Sequence, residues 1–119
     1  QVKVVMTESA IEFITPLTLQ AVSGERVHTN LLDSEAEAAM GHIELARWAD
    51  LIVVAPATVD SLSRIVQGRA DDLLGTLILA SDAPKLLAPA MNQAMWRDVT
   101  TQQNIDLLTD KGFAFIGPE

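Results

Sequence analysis

Cysteine is absent from this 119-residue sequence. That absence excludes a disulfide framework, a thiolate zinc site and a thiol nucleophile within these residues, and makes a reducing compartment the expectation. Cations are scarce as well: eight Lys plus Arg stand against sixteen Asp plus Glu, a net charge of −8. Such a chain lacks the clustered Lys and Arg that bind a phosphate backbone or an anionic membrane surface, so no nucleic-acid or membrane partner is expected. No apolar run approaches the roughly 18 residues of a membrane span, and QVKVVMTESA carries no basic start, apolar stretch and cleavage site of a secretory signal; the expected location is the cytoplasm. There is no GxGxxG and no GxxxxGK[ST] motif. His28 and His42 are fourteen residues apart without metal-ligand spacing, and Asp71-Asp72 is what a helix N-terminus favours electrostatically, so no metal site is expected.

What is present suffices for one packed domain over residues 1–119: apolar residues make up 49%, charged residues 20%, and the mean hydropathy is +0.24. The chain opens at Gln1 and enters a β-like run, Val2 to Met6, at once. A helix from Thr7 through Ile14 is expected next. A second starts at Thr15-Pro16 and stops at Gly24, and a short strand follows around Arg26–Thr29. Residues 30–41 read as an acidic loop or frayed turn. His42 to Ala49 has helical spacing, with Glu44 and Arg47 placed for a surface ion pair, and leads into Leu51-Ile52-Val53-Val54-Ala55. A run apolar at every position belongs to a strand buried on both faces of a parallel sheet, and Pro56 is expected to end it. Helices at 58–66 and 71–80, a strand at 85–88 before Pro89, helices at 92–99 and 101–111, and a strand at 113–116 complete the alternation. The fold class is therefore α/β, a Rossmann-like three-layer arrangement with a mostly parallel sheet.

Ligands of open α/β sheets bind beyond the carboxyl ends of the strands. The segments standing there are Thr7-Glu8-Ser9-Ala10, Pro56 to Ser61 and Pro89-Ala90-Met91-Asn92. Their hydroxyl, amide and small side chains suit a neutral hydrogen-bonding site in which backbone N–H groups and hydroxyls hold any phosphate. Each also has a plainer reading. Thr7 or Ser9, Thr58, Ser61 and Asn92 serve equally well as helix N-caps, and Met91, Met95 and Trp96 as packing residues. His42, after Gly41 at a helix start, is either a general acid or base near pH 7 or a partly exposed histidine of the first turn.

Met6-Thr7-Glu8-Ser9-Ala10 with Phe13-Ile14-Thr15-Pro16-Leu17, Gly41-His42-Ile43-Glu44-Leu45 with Trp48-Ala49-Asp50, Ala55-Pro56-Ala57-Thr58 and Pro89-Ala90-Met91-Asn92 recur in one order and spacing. In these the sequence resembles the flavin-dependent cysteine decarboxylase family, and within it the branch that decarboxylates 4′-phosphopantothenoylcysteine to 4′-phosphopantetheine. The resemblance implies FMN as cofactor, held by Thr7, Glu8, Ser9 and the Thr58-Val59-Asp60-Ser61 turn, with Phe13 and Ala90 against the flavin. It implies His42 as catalytic residue, and Asn92 with Met91 on the substrate, Asn92 holding its carboxylate. It implies a small phosphorylated cysteine substrate, a homo-oligomer built from trimers, and fusion to a phosphopantothenate–cysteine ligase domain.

The resemblance also implies a first central strand and glycine-rich turn ahead of Gln1, between the strands at 2–6 and 51–55, and a cysteine-bearing clamp after Glu119. The expectation is thus a domain truncated at both ends and inactive alone. Asp60 stands where the family often has Asn. The alternatives are an oxidative peptidyl-cysteine decarboxylase, which does without the clamp cysteine, and a non-catalytic flavoprotein-like regulatory or binding subunit.

Overall fold

Most helices among the described residues start at a short polar side chain that accepts a hydrogen bond from a peptide N–H otherwise left without a partner. In the computed structural model, which describes residues 1–29 and 41–118, these caps set the boundaries. Thr7 caps α1 (Glu8–Ile11), Thr15 caps α2 (Pro16–Ser23), and Gly41 precedes α3 (His42–Trp48). After β1 (Ile52–Ala57), Thr58 caps α4 (Val59–Gln67) and Asp72 caps α5 (Leu73–Ala80). After β2 (Lys85–Pro89), Asn92 caps α6 (Gln93–Arg97) and Asp98 caps α7 (Val99–Asp110), which leads to β3 (Ala114–Phe115). The helices near 16–23, 58–66 and 71–80 match expectation within two residues. The helix expected through Ile14 is only one turn long. The loop expected at 30–41 lies, except for Gly41, outside the described residues.

The sheet is parallel, in the order β1-β2-β3. Val54 pairs with Leu87 and Leu87 with Phe115, so these side chains share one face. They bury there against Leu62 and Ile65 of α4, Ile78 of α5 and Leu108 of α7. Architecture and sheet direction are those of the α/β, Rossmann-like class that the alternating pattern predicts.

Two strand expectations are corrected. Pro56 does not end β1: pairing resumes at Ala57↔Pro89 after a register shift between Val54 and Ala57. A proline has no N–H to offer the ladder, and an irregularity at its position lets the strand continue past it. The strands expected at 2–6 and 26–29 reduce to a single parallel bridge, Val5↔His28, in which the Met6 N–H donates to the His28 carbonyl and the His28 N–H to that of Val4. This pair stands apart from the three-stranded sheet, and β1 is an edge strand whose pairing, among the described residues, is with β2. The segment is nonetheless packed along part of its length, with Met6 buried and Lys3, Val4 and Val5 half-buried. Val2 and Val4 meet Leu19 and Val22 of α2 around a cavity of about 320 Å³, while Val5 packs on the α3–α5 cluster and the Lys3 ammonium lies 5.1 Å from the centre of the Trp48 ring.

α4 and α5 are joined by a tight turn. Gly68 closes α4 in the left-handed conformation (φ 68°). Asp71 then accepts from Arg64 of α4 and from Arg69, each at 2.5 Å, and Asp72 accepts from the Gly75 N–H at 2.8 Å. The hydrogen bond from Arg69 holds the Asp71 carboxyl below its ordinary pKa. The expected Glu44–Arg47 ion pair is not among those formed by the described residues.

At Gly75 a Cβ would lie 2.0 Å from the Arg69 carbonyl oxygen, so backbone has to move to admit one. Gly75→Ala should therefore destabilise the protein by about 2–3 kcal/mol, read as a lower urea midpoint at unchanged slope. Asp71 generates a second expectation. Its folded pKa is depressed, so its contribution is present above the unfolded value and fades as pH falls through the folded one. Asp71→Asn should make the acid side of a melting-temperature profile shallower, by a margin that shrinks in high salt.

Candidate functional site

Beyond the carboxyl ends of β1 and β2 the chain makes two turns side by side. Ala57 pairs with Pro89, and the Ala90 N–H donates to the Ala57 carbonyl at 3.1 Å, so the Thr58–Ser61 and Ala90–Asn92 segments leave the sheet together. The physical reason is parallel pairing, which puts the ends of both strands on one edge.

In the first turn the Thr58 hydroxyl accepts from the Ser61 N–H at 3.1 Å and donates to the Ser61 hydroxyl at 3.0 Å. That chain leaves the Ser61 O–H proton to serve as donor to a third group. Val59 is half-buried, and Asp60 is exposed in the first turn of α4, where a carboxylate complements the helix dipole. Arg64, on the same helix, is turned to Asp71 and Asp72. The second turn holds exposed Ala90, half-buried Met91 packed on the main core, and exposed Asn92, whose Oδ1 accepts from the Met95 N–H at 2.9 Å. A cap bond made through Oδ1 leaves both hydrogens of the amide NH₂ for another acceptor.

The remaining candidates stand on the N-terminal part and on α3. Thr7 follows the bridged segment, and its hydroxyl accepts from the Ala10 N–H at 3.2 Å; Glu8 and Ser9 are exposed in the same turn. Phe13 is 90% exposed and lines no cavity among those described. His42 is half-buried at the first position of α3. Thr7 and α3 are related through one neighbour: Val5, two residues before Thr7, packs into the cluster of Leu45 and Ala46 with Leu73 and Leu77.

The plainer reading of Thr7, Thr58 and Asn92 thus holds, since all three cap helices, but capping does not exhaust them. Each is a half-buried or exposed group at the end of an extended segment, and the set is neutral apart from Glu8 and Asp60. The chemistry available is that of hydroxyl, amide and peptide N–H donors with one imidazole. Such a set can hold an anion by directed hydrogen bonds, and no metal-binding cluster of His, Asp and Glu is present among the described residues. Reading the sequence did not single out the Arg64–Asp71–Arg69 contacts behind α4 or the close approach at Gly75. The Gly-Arg-Ala-Asp-Asp run was the only signal of that turn.

A family model described as Flavoprotein matches residues 1–119. The coenzyme A biosynthesis bifunctional protein CoaBC of Vibrio vulnificus (strain YJ016) is 59% identical over 118 residues, covering 99% of this chain and 29% of the relative. Among solved structures, the FMN-dependent cysteine decarboxylase SpaF superposes with a TM-score of 0.90 at 34% identity, over 100% of this chain and 67% of that one. A PPC decarboxylase mutant complexed with pantothenoylaminoethenethiol superposes with a TM-score of 0.80, also at 34% identity, over 97% of this chain and 65% of that one. The chain spans less than a third of the length of the curated relative.

Thr58→Ala removes a cap acceptor at the start of α4. It should cost about 1 kcal/mol of stability, measured as a shift of the urea midpoint. A shift no larger than that of an exposed surface substitution counts against Thr58 as the cap.

Proposed function

Because this chain belongs to the Flavoprotein family, we propose that it forms the FMN-binding core of an enzyme that decarboxylates 4′-phosphopantothenoylcysteine to 4′-phosphopantetheine in coenzyme A biosynthesis. The observation that carries this is the pairing of the two turns beyond β1 and β2, which sets a hydroxyl-bearing turn beside an exposed amide. Support comes from the relative at 59% identity, whose name assigns it to coenzyme A biosynthesis, and from the PPC decarboxylase likeness.

The residues present fit FMN. The Ser61 hydroxyl, with its proton left to donate, stands at the N-terminal end of a nine-residue helix where peptide N–H groups favour an anion, with the Asp60 carboxylate in the same turn. Thr7, Glu8, Ser9 and Val59 to Ser61 complete that binding set, and Ala90, without a bulky side chain, admits a ring system close to the backbone. Phe13, 90% exposed, is a flat apolar surface for the same ring. FMN held there would supply a two-electron acceptor for the carbon bearing the substrate sulfur, which would let the carboxylate leave as CO₂, and would give the two electrons back to the decarboxylated product, so that 4′-phosphopantetheine forms with no net redox change.

The protein's own residues do the rest. The Asn92 amide, fixed by its cap bond, donates from Nδ2 to the substrate carboxylate and orients it without adding charge. Met91 supplies an apolar wall beside it. The His42 imidazole takes the proton of the substrate thiol, since a carbon–sulfur double bond forms only if S–H is lost as the neighbouring C–H is broken.

We further propose that the complete protein is a cytoplasmic homo-oligomer built from trimers and fused to a ligase domain, with this domain extending beyond residues 1–119. The word bifunctional in the relative's name supports the fusion. The exposed apolar side chains of Phe13, Leu17 (71%) and Val22 (81%) support burial in subunit contacts. An oxidative peptidyl-cysteine decarboxylase is the second reading, favoured by the likeness to SpaF at TM-score 0.90. The product separates them: a free enethiol for the second, 4′-phosphopantetheine for the first.

The complete protein should purify yellow with about one FMN per chain. His42→Asn should lower CO₂ release from 4′-phosphopantothenoylcysteine by about 10²-fold or more while FMN content stays unchanged. A colourless protein that takes up no FMN, or wild-type turnover in His42→Asn, overturns the corresponding part of this reading.

A further inference from the structure

α3 has seven residues, too few to hold a helix by its own hydrogen bonds, and its N-cap is a glycine that offers no side-chain acceptor. Its position is therefore imposed by what it packs on. Val5 and the Lys3–Trp48 contact share in this, and one stripe of α5 supplies the buried contacts along its length. Leu73, Leu77 and Ser81 follow one another at intervals of four, so they lie along one face of α5 and its C-cap. Leu73 and Leu77 bury Leu45 and Ala46 of α3. Ser81, 5% exposed, donates from its hydroxyl to the Ala46 carbonyl at 2.7 Å.

The direction of that bond is determined. A carbonyl oxygen can only accept, so the Ser81 proton goes to Ala46, while the Ser81 Oγ also accepts from the Ala83 N–H at 3.1 Å. The Ser81 backbone is held in turn, its N–H donating to the Leu77 carbonyl and its carbonyl accepting from the Lys85 ammonium. The Ala46 carbonyl belongs to the last turn of α3, where carbonyls have no partner within the helix. It receives one from an element 35 residues away. Ala46 lies one turn, about 6 Å along the axis, from His42.

We infer that Ser81 is a positioning residue: by fixing the last turn of α3 to the C-terminus of α5, it sets the rotation and height of the helix that carries His42. This rests on the role proposed for His42 above. With the hydroxyl removed, the leucine stripe still buries α3, but apolar contacts are non-directional and allow the helix to slide and turn. Displacements of about 1 Å cost about 10²-fold where a reacting group must meet its target in register. Nothing in the local sequence Ala80-Ser81-Asp82 marks this residue.

The test is steady-state decarboxylation of 4′-phosphopantothenoylcysteine by the complete protein carrying Ser81→Ala, Ser81→Cys or Ser81→Thr, with Leu108→Ala as control. Leu108 is fully buried in the other cluster, so its truncation lowers stability without touching α3. Expected is a fall in kcat of tenfold or more for Ser81→Ala, KM and FMN content changing less than threefold, and partial recovery of kcat in Ser81→Thr, which keeps a hydroxyl. Leu108→Ala should lose at least as much thermal stability yet keep kcat per bound FMN within twofold. Should Ser81→Ala not fold, Ser81→Cys, a weak donor of similar size, carries the same expectation.

Unchanged kcat in the folded Ser81 variants, or an equal fall in Leu108→Ala, overturns the inference. His42→Asn separates the two levels. If it retains turnover, the role of His42 and that of Ser81 fall together; if it abolishes turnover while the Ser81 variants are unaffected, the positioning role alone falls.

Discussion

The parallel pairing of β1 with β2 is the constraint on which the rest of the molecule depends. Val54 and Leu87 meet in register and bury on one face under α4, α5 and α7. The same register carries on to Ala57 and Pro89, so the strands end together and the turns after them emerge side by side. In an antiparallel arrangement those turns would stand at opposite edges. The proposed cofactor turn and the proposed substrate amide thus share a location because of a backbone ladder.

α5 extends that constraint to the rest of the chain. Its Ile78 belongs to the core beneath the sheet, and its Leu73 and Leu77 belong to the second cluster, with Leu45, Ala46 and Val5. One apolar helix therefore carries the position of the sheet over to α3 and to the extended N-terminal segment. Its own start is fixed by a set of short-range contacts: Asp71 between two guanidinium groups, the Asp72 cap on Gly75, and a glycine at the one place where a side chain would strike the Arg69 carbonyl. The exposed ion pairs there orient the turn more than they stabilise it, since such pairs are individually weak in water.

Much of this was legible from residues alone because the signals are local. The all-apolar run at 51–55 announces a parallel strand, although burial on both faces is not what forms: Val54 is buried while Leu51 and Val53 are each 52% exposed. Thr58, Asp72 and Asn92 cap the helices that follow, as hydroxyl, carboxyl and amide groups at such positions do. Two local rules failed for the same reason. Pro56 normally stops a strand, but β2 supplies a partner beyond it at Pro89. Val2 to Met6 has strand composition, but a strand is defined by its neighbour, and the described neighbour pairs through one bridge at His28. His28 itself is buried, 6% exposed.

By itself, then, the sequence determined the α/β order of elements, the helix starts, the hydrogen-bonding character of the polar turns and the family whose motifs it carries. All of these are encoded within a few residues or in composition. Only the tertiary structure decided that the Thr58 and Asn92 turns adjoin, and that the His42 helix is held by a serine 35 residues from its partner. Those facts depend on strand register and on which helix faces meet. Register and facing are settled by burying apolar surface across distant parts of the chain, for which no short stretch of sequence holds the information.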